Sequence, residues 1–141
     1  MLRKEASVIG ELLKKFSSPQ DVILNVGSGS ALFRQSDQPY IHDKIFRNLS
    51  ARVMHSDIFD HAGVDIQADV MSDEGVARLK NIKADVVLAS NLLEHVESPI
   101  LGLLNLTRIA DKGSVLIITG PSQYPYHPDP IDNGFRPGRD F

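Results

Sequence analysis

The 141-residue chain contains no cysteine, which removes disulfide frameworks and thiolate metal sites together. It has no surplus of basic charge: 15 Lys and Arg stand against 18 Asp and Glu, for a net charge of -3. Nothing electrostatic therefore draws it to a nucleic-acid backbone, and an aromatic content of 6% forms no ladder for stacking bases. No apolar run approaches the ~20 residues of a membrane helix. Met1-Leu-Arg-Lys-Glu5 scatters charge where a signal peptide needs an unbroken apolar core. The expectation is a cytoplasmic protein with neither nucleic acid nor a membrane as partner. What is present is ordinary for a soluble domain, with 42% hydrophobic and 23% charged residues. The length fits one domain over residues 1–141 with a single core, and no internal repeat divides it.

The most informative stretch is Val22-Ile-Leu-Asn-Val-Gly-Ser-Gly-Ser30. Its apolar half reads as a strand covered on both faces, as in a parallel sheet. Gly27 and Gly29 remove Cβ atoms where the backbone must turn sharply and approach something closely. In doubly wound α/β folds that place is the carboxyl edge of the first strand, where small ligands dock.

Further strands are expected over 52–57, 64–67, 84–90 and 114–119. Between them, residues 2–16 show an amphipathic helix with Ile9, Leu12, Leu13 and Phe16 on one face. Asp73 is expected to cap a helix that turns Val76, Leu79 and Ile82 inward, and Ser98-Pro99 to start another whose buried face holds Leu101, Leu104, Leu106 and Ile109. Residues 31–49 carry little periodicity beyond a short helix near the end. Strands alternating with helices imply an α/β fold with a parallel sheet and right-handed crossovers. The proline-rich segment 120–141 is a loop at the carboxyl edge, so glycines, Asp57, Asp69 and a polar loop all converge on one rim.

Asp57, ending a strand beyond a glycine turn, suits the two hydroxyls of a ribose, although Asp also commonly opens turns. Asp69 suits an exocyclic amine or, equally, a turn or cap. A dinucleotide fingerprint would need a third glycine where Leu32 stands and an acid about 20 residues on, short of where Asp57 lies. No Gly-Lys-Ser/Thr follows the turn, which excludes a phosphate-binding P-loop.

The segments Leu24-Asn-Val-Gly-Ser-Gly29, His55-Ser-Asp-Ile58, Gly63-Val-Asp-Ile-Gln-Ala-Asp69 and Asn91-Leu-Leu-Glu-His-Val96 resemble those of class I S-adenosylmethionine-dependent methyltransferases of the broad type 11 group. Tyr124-Pro-Tyr-His-Pro-Asp-Pro-Ile-Asp132 with Phe135-Arg-Pro137 resembles a bacterial subgroup. The resemblance implies a Rossmann-like doubly wound sheet in the order 3-2-1-4-5, lacking the C-terminal β-hairpin of the full fold, as in a truncated chain. An open sheet edge would then invite a homodimer. For S-adenosylmethionine, the resemblance implies that Asn25 and the backbone at Gly27, Ser28 and Gly29 hold the methionine part. Asp57 would take the ribose, Ile58 the adenine face, Asp69 and Val70 the adenine edge, and the backbone near Asn91 and Leu92 the amino-acid end. His95 would lie close to the cleft, or else satisfy a helix end. The family usually has an acid where Asn25 stands, to help neutralise the cofactor's ammonium group.

The implied activity is methyl transfer to a small-molecule or glycan-type acceptor, with a cofactor-binding module that no longer catalyses as the alternative. A hydroxyl acceptor needs a base, and His127 with Asp129 or Tyr126 assisting is the candidate, because imidazole titrates nearest neutrality. Otherwise the loop, stiffened by its prolines, serves only as a cover. Asn91-Leu-Leu-Glu-His95 gives only part of a metal-binding helix, and no metal is expected.

Overall fold

Uninterrupted apolar runs such as Val86-Val-Leu-Ala89 are stable as strands only where both faces are covered, and the chain arranges them that way. The computed structural model describes residues 3–36, 45–46, 48–123, 125–127 and 131–138. Its strands are β1 (Val22–Val26), β2 (Arg52–Asp57), β3 (Ile66–Gln67), β4 (Val86–Ser90) and β5 (Val115–Thr119). Its helices are α1 (Arg3–Phe16), α2 (Ala31–Ser36), α3 (Asp73–Lys80) and α4 (Pro99–Ile109), with a 3-10 turn at Leu93–His95. The strands form one five-stranded sheet in the order β3-β2-β1-β4-β5, and every neighbouring pair is parallel. This is the Rossmann-like order expected from the sequence. Among the described residues no strand follows β5. The short helix expected near residue 49 falls partly on residues outside the described set; among the described ones, Ile45 and Phe46 are helical.

Alternate side chains of the central strands feed two cores. Ile23, Val86, Leu88 and Ile117 pack under α1, which contributes Ala6, Ile9 and Leu13. Leu24, Val26, Val87 and Ala89 pack under α3 and α4, against Val76, Leu79, Leu106 and Ile109. Each fully buried Leu or Ile contributes about 1.5–3 kcal/mol, so loss of either layer would unfold the sheet.

Two helix faces differ from the sequence expectation. In α3 the cap is Ser72, whose Oγ accepts from the Gly75 amide at 3.0 Å, while Asp73 is the first helical residue and Ile82 lies beyond the helix end. In α4, Ser98 caps and Pro99 opens the helix as expected, but Leu101 is 43% and Leu104 55% exposed. The buried face is Gly102, Asn105, Leu106 and Ile109. Gly102 brings the helix close to Leu93 and Val96, and Asn105 donates from Nδ2 to the Val70 carbonyl at 2.9 Å. Leucines fall on several sides of this helix and so cannot orient it, and here the small and amide residues mark the inner face.

Gly75 packs so tightly against the 69–72 turn that a Cβ there would lie 2.0 Å from the Asp69 carbonyl oxygen, whereas a Cβ at Gly10 meets nothing within 4 Å. Gly75→Ala is expected to destabilise by about 3 kcal/mol, and Gly10→Ala to stabilise by about 0.5–1 kcal/mol. Urea unfolding of the two variants checks both signs.

Candidate functional site

Parallel register sets which residues meet at the carboxyl rim. Val26 stands opposite Ser56 on one side and Ala89 on the other, Asp57 opposite Gln67, and Ser90 opposite Thr119. The chain leaves β1 toward β2 on one side, and β4 flanks β1 on the other, so the switch point of the sheet lies between β1 and β4.

The glycine turn occupies that point. Gly27 and Gly29 adopt φ of 70° and 65°, a region that disfavours residues with a Cβ. The Ser28 amide donates to the Ser56 carbonyl at 2.9 Å, and the Gly29 amide donates to Asp57 Oδ2 at 2.8 Å. Asp57 also accepts from the Phe59 amide through Oδ1 at 3.2 Å. Thus Asp57 and the 27–29 bend face each other. Beyond Asp57, Ile58 is 51% exposed and Phe59 is similarly open, an apolar ledge beside a carboxylate. Leu92 covers the turn from the β4 side: its Cδ1 lies 2.7 Å from where a Gly27 Cβ would stand.

Arg34, which the sequence reading did not single out, staples this turn. It is buried, donating from Nη1 to Ser28 Oγ at 3.2 Å and the Gly29 carbonyl at 2.5 Å, and from Nη2 to the Gly63 carbonyl at 2.7 Å. The only advance signal was an arginine five residues past a glycine turn, in a stretch without periodicity. Asn25 is buried on β1, where its Nδ2 donates to His55 Nδ1 at 3.1 Å.

Asp69 and Val70 follow directly along the rim, since the Ala68 amide bonds the Asp57 carbonyl at 2.8 Å. Asp69 Oδ1 accepts from the Met71 amide at 2.8 Å and its carbonyl from the Ser72 amide and hydroxyl, so it builds the turn that opens α3. Val70 is buried, with its carbonyl on Asn105. On the far lip, Asn91 holds φ 51°, its amide donates to the Thr119 carbonyl at 3.0 Å, and its Nδ2 donates to Glu5 Oε1 at 3.0 Å.

His95 faces the C-terminal segment. Its Nδ1 bonds the Ile131 carbonyl, and its ring meets that of His127 edge-on at a centroid distance of 5.0 Å. His127 is paired with Asp132: Nδ1 lies 3.1 Å and the backbone amide 3.0 Å from Asp132 Oδ2. Asp129 lies outside the described residues, and Tyr126 is 68% exposed. The carboxylate found on His127 is Asp132, whose side chain is fully buried. Arg136 grips it through both oxygens, at 3.0 and 2.6 Å, and the Gly134 amide adds a bond at 2.8 Å. The Arg136 hydrogen bond holds Asp132 far below the usual carboxylate range, and the pairing raises Arg136 in turn. Asn133 fastens the segment to the 3-10 turn, donating from Nδ2 to the carbonyls of Leu93 and Val96 and from its amide to that of Glu94.

Glu94 sits inside this junction, 1% exposed, with no hydrogen-bond partner for Oε2 among the described residues. Burial pushes its carboxyl up from the ordinary 4.5, against the pull of its own amide and the nearby His95, Arg136 and His127. Among the described residues no three His, Asp or Glu side chains group as metal ligands, and no helix is long and apolar enough to cross a membrane.

Sheet order and helix placement make this a Rossmann-like α/β protein. No protein-family model matches the chain, and no curated protein matches it. Among solved structures it is similar to the trans-methyltransferase CalH in complex with SAH, at TM-score 0.52 and 16% identity, covering 80% of this chain and 35% of that one. It is also similar to the Helicobacter pylori ADP-L-glycero-D-manno-heptose-6-epimerase, at TM-score 0.46 and 19% identity, covering 74% of this chain and 40% of that one. These likenesses concern the fold, and the chain spans well under half the length of either neighbour.

The Glu94 carboxyl gives a test of the junction. Its folded-state pKa is raised, so between 4.5 and that higher value the native state keeps a proton the unfolded chain has lost. Stability therefore falls as pH rises through that window. Glu94→Gln is expected to melt several degrees above wild type at pH 7, with the gap closing below pH 4.5. Calorimetric melting across pH checks it; a gap independent of pH would refute the charge argument.

Proposed function

We propose that the chain binds S-adenosylmethionine and transfers its methyl group to a small-molecule or glycan-type acceptor. The observation that carries this reading is the contact between Asp57 and the Gly29 amide at the switch point. It gathers a Cβ-free turn, a strand-end carboxylate and the exposed Ile58 into one cradle. A Cβ at Gly27 or Gly29 would strike Leu92 or Phe33, so the backbone is drawn tight and the turn presents main-chain groups to a ligand. CalH, whose fold this chain shares, is a methyltransferase seen in complex with SAH, which supports the reading.

In this reading Gly27, Ser28 and Gly29 hold the methionine part through their backbone, with Asn25 beneath them. Asp57 accepts from the ribose hydroxyls, Ile58 covers the adenine face, and Asp69 and Val70 meet its edge. The backbone of Asn91 and Leu92 receives the amino-acid end. Bound S-adenosylmethionine supplies a methyl group already activated by its sulfonium. The protein's part is to bind, orient and accept a proton. His127, with Nδ1 held by Asp132, carries its basic lone pair on Nε2 and is the proposed base for a hydroxyl acceptor, and Arg136 keeps Asp132 ionised. Tyr126 and His95 border it, and no metal is invoked. The neutral Asn25, already bonded to His55, favours a second reading in which the cradle binds the cofactor without turnover.

Titration calorimetry with S-adenosylmethionine and S-adenosylhomocysteine is expected to show binding, weakened about tenfold by Asp57→Asn through loss of a charged acceptor. No heat and no thermal shift with either ligand would remove the proposal. Methyl transfer from labelled cofactor into a pool of cell metabolites separates enzyme from module. His127→Ala is expected to lower that turnover by about 10²–10⁴ while cofactor affinity stays unchanged.

A further inference from the structure

Asn91 turns the chain at the end of β4, and it does so at φ 51°, in the left-handed region that residues with a Cβ seldom enter. Asparagine tolerates that region better than most residues, yet the corner still needs restraint. The donors of Asn91, its backbone amide and its side-chain amide, show what supplies it. The backbone amide donates to the Thr119 carbonyl at 3.0 Å, at the end of β5. The side chain donates from Nδ2 to Ser90 Oγ at 3.1 Å and to Glu5 Oε1 at 3.0 Å. Glu5 Oε1 also accepts from Thr119 Oγ1 at 2.7 Å, and Ser90 Oγ lies 2.9 Å from the same hydroxyl. One carboxylate oxygen therefore holds both the Asn91 side chain and the residue whose carbonyl receives the Asn91 amide.

Ser90 and Thr119 are strand ends already in register. Glu5 comes from α1, 86 residues away in the chain from Asn91. Ala6, Ile9 and Leu13 pack that helix against Ile23, Val86, Leu88 and Ile117 of the sheet, so Glu5 reaches the corner from a fixed support. The effect extends to the crevice, which in a doubly wound sheet opens at the switch point, here between the 27–29 turn and the Asn91–Leu92 corner. Leu92 follows Asn91 directly, and its Cδ1 stands 2.7 Å from where a Gly27 Cβ would be. The direction the chain takes at Asn91 thus sets Leu92 against the turn. A corner released from positive φ would carry Leu92 and the peptide before it away from the opposite lip.

We propose that Glu5 is a positioning residue for the crevice: through its bond to Asn91, helix α1 sets the backbone that receives the amino-acid end of bound S-adenosylmethionine. The inference rests on the S-adenosylmethionine reading above; it uses Glu5 as a hydrogen-bond acceptor and asks nothing of its charge. In Glu5→Ala the core contacts of Ala6, Ile9 and Leu13 still hold α1, as circular dichroism and melting would verify. Calorimetry is run with S-adenosylmethionine, S-adenosylhomocysteine and 5′-methylthioadenosine, which lacks the amino-acid end. Glu5→Ala is expected to weaken the first two about tenfold and to leave the third unchanged. Glu5→Gln keeps an acceptor oxygen and is expected to bind all three as wild type does. Glycine adopts positive φ without a side-chain anchor, so on an Asn91→Gly background Glu5→Ala is expected to add no further loss. Hydrogen exchange gives a readout free of ligand: the Asn91 amide is expected to exchange about tenfold faster in Glu5→Ala, with the β1 amides unchanged. Losses that multiply in the double variant, equal loss for all three ligands or no loss for any overturn the role of Glu5 and leave the cofactor reading standing. Unchanged exchange at Asn91, or a loss in Glu5→Gln as large as in Glu5→Ala, does the same. Failure of the wild-type protein to bind any of the three ligands overturns both.

Discussion

The hydrogen bond from the Gly29 amide to the Asp57 carboxylate is the constraint on which the rim depends. An amide bonded to an ionised acceptor is about twice as strong as a neutral pair, and this one joins the tips of two strands whose register is already set. Without it the bend could adopt other conformations, since glycine has more of them than any other residue. Arg34 adds a second restraint by holding Ser28, Gly29 and Gly63 with one guanidinium. A planar fork with five donors does this where lysine could not. The flexibility that lets glycine form the turn is thus removed by side chains from β2 and α2.

The C-terminal segment solves a different problem: how to fix irregular backbone that has no ladder to join. Its prolines at 125 and 137 lack an N–H, so fewer donors need partners. Asp132 takes two of the remaining amides, those of His127 and Gly134, and Arg136 balances its charge. Asn133 satisfies the carbonyls of Leu93 and Val96 that the 3-10 turn leaves open. Burying an ion pair gives little net stability unless hydrogen bonds complete it, and here they do. The pair therefore acts mainly to fix where His127 stands.

How far the sequence disclosed this follows from the kind of signal each feature leaves. Strands buried on both faces leave continuous apolar runs, so β1, β4 and β5 and their parallel arrangement were legible. Helix orientation was legible for α1 at Ile9, Leu12 and Leu13, although Phe16, expected on the same face, is 41% exposed at the helix end; it was not legible for α4. Leu101 and Leu104 looked buried there because leucines fall on several sides of that helix and do not by themselves distinguish its inner face. The Ser72 cap was missed by one residue because Asp73 is chemically as suitable. At the site, Gly27, Gly29 and Asp57 announced themselves because their roles are local to strand ends. Arg34, Asp132 and Glu5 did not, since each acts on a partner brought near by the fold: Glu5 lies 86 residues from Asn91 and 114 from Thr119. Asp132, five residues past His127, leaves no mark in a one-dimensional reading, and the path of the chain brings it onto the imidazole.

Glu94 shows what this construction demands. A buried carboxyl with an unpartnered oxygen works against folding once ionised, yet it lies beneath His95 and His127 where Arg136 and Asp132 already supply charge of both signs. Its cost falls on the junction between the 3-10 turn and the C-terminal segment. The sheet below keeps its register through its backbone bonds and its two apolar cores. A scaffold of this kind can carry an electrostatically unfavourable group at its rim without losing the alignment of Gly29, Asp57 and Asn91. Perturbed ionisable groups concentrate where a fold does chemistry. In this chain the perturbed group, Glu94, sits beside His95 at the junction with the His127 segment.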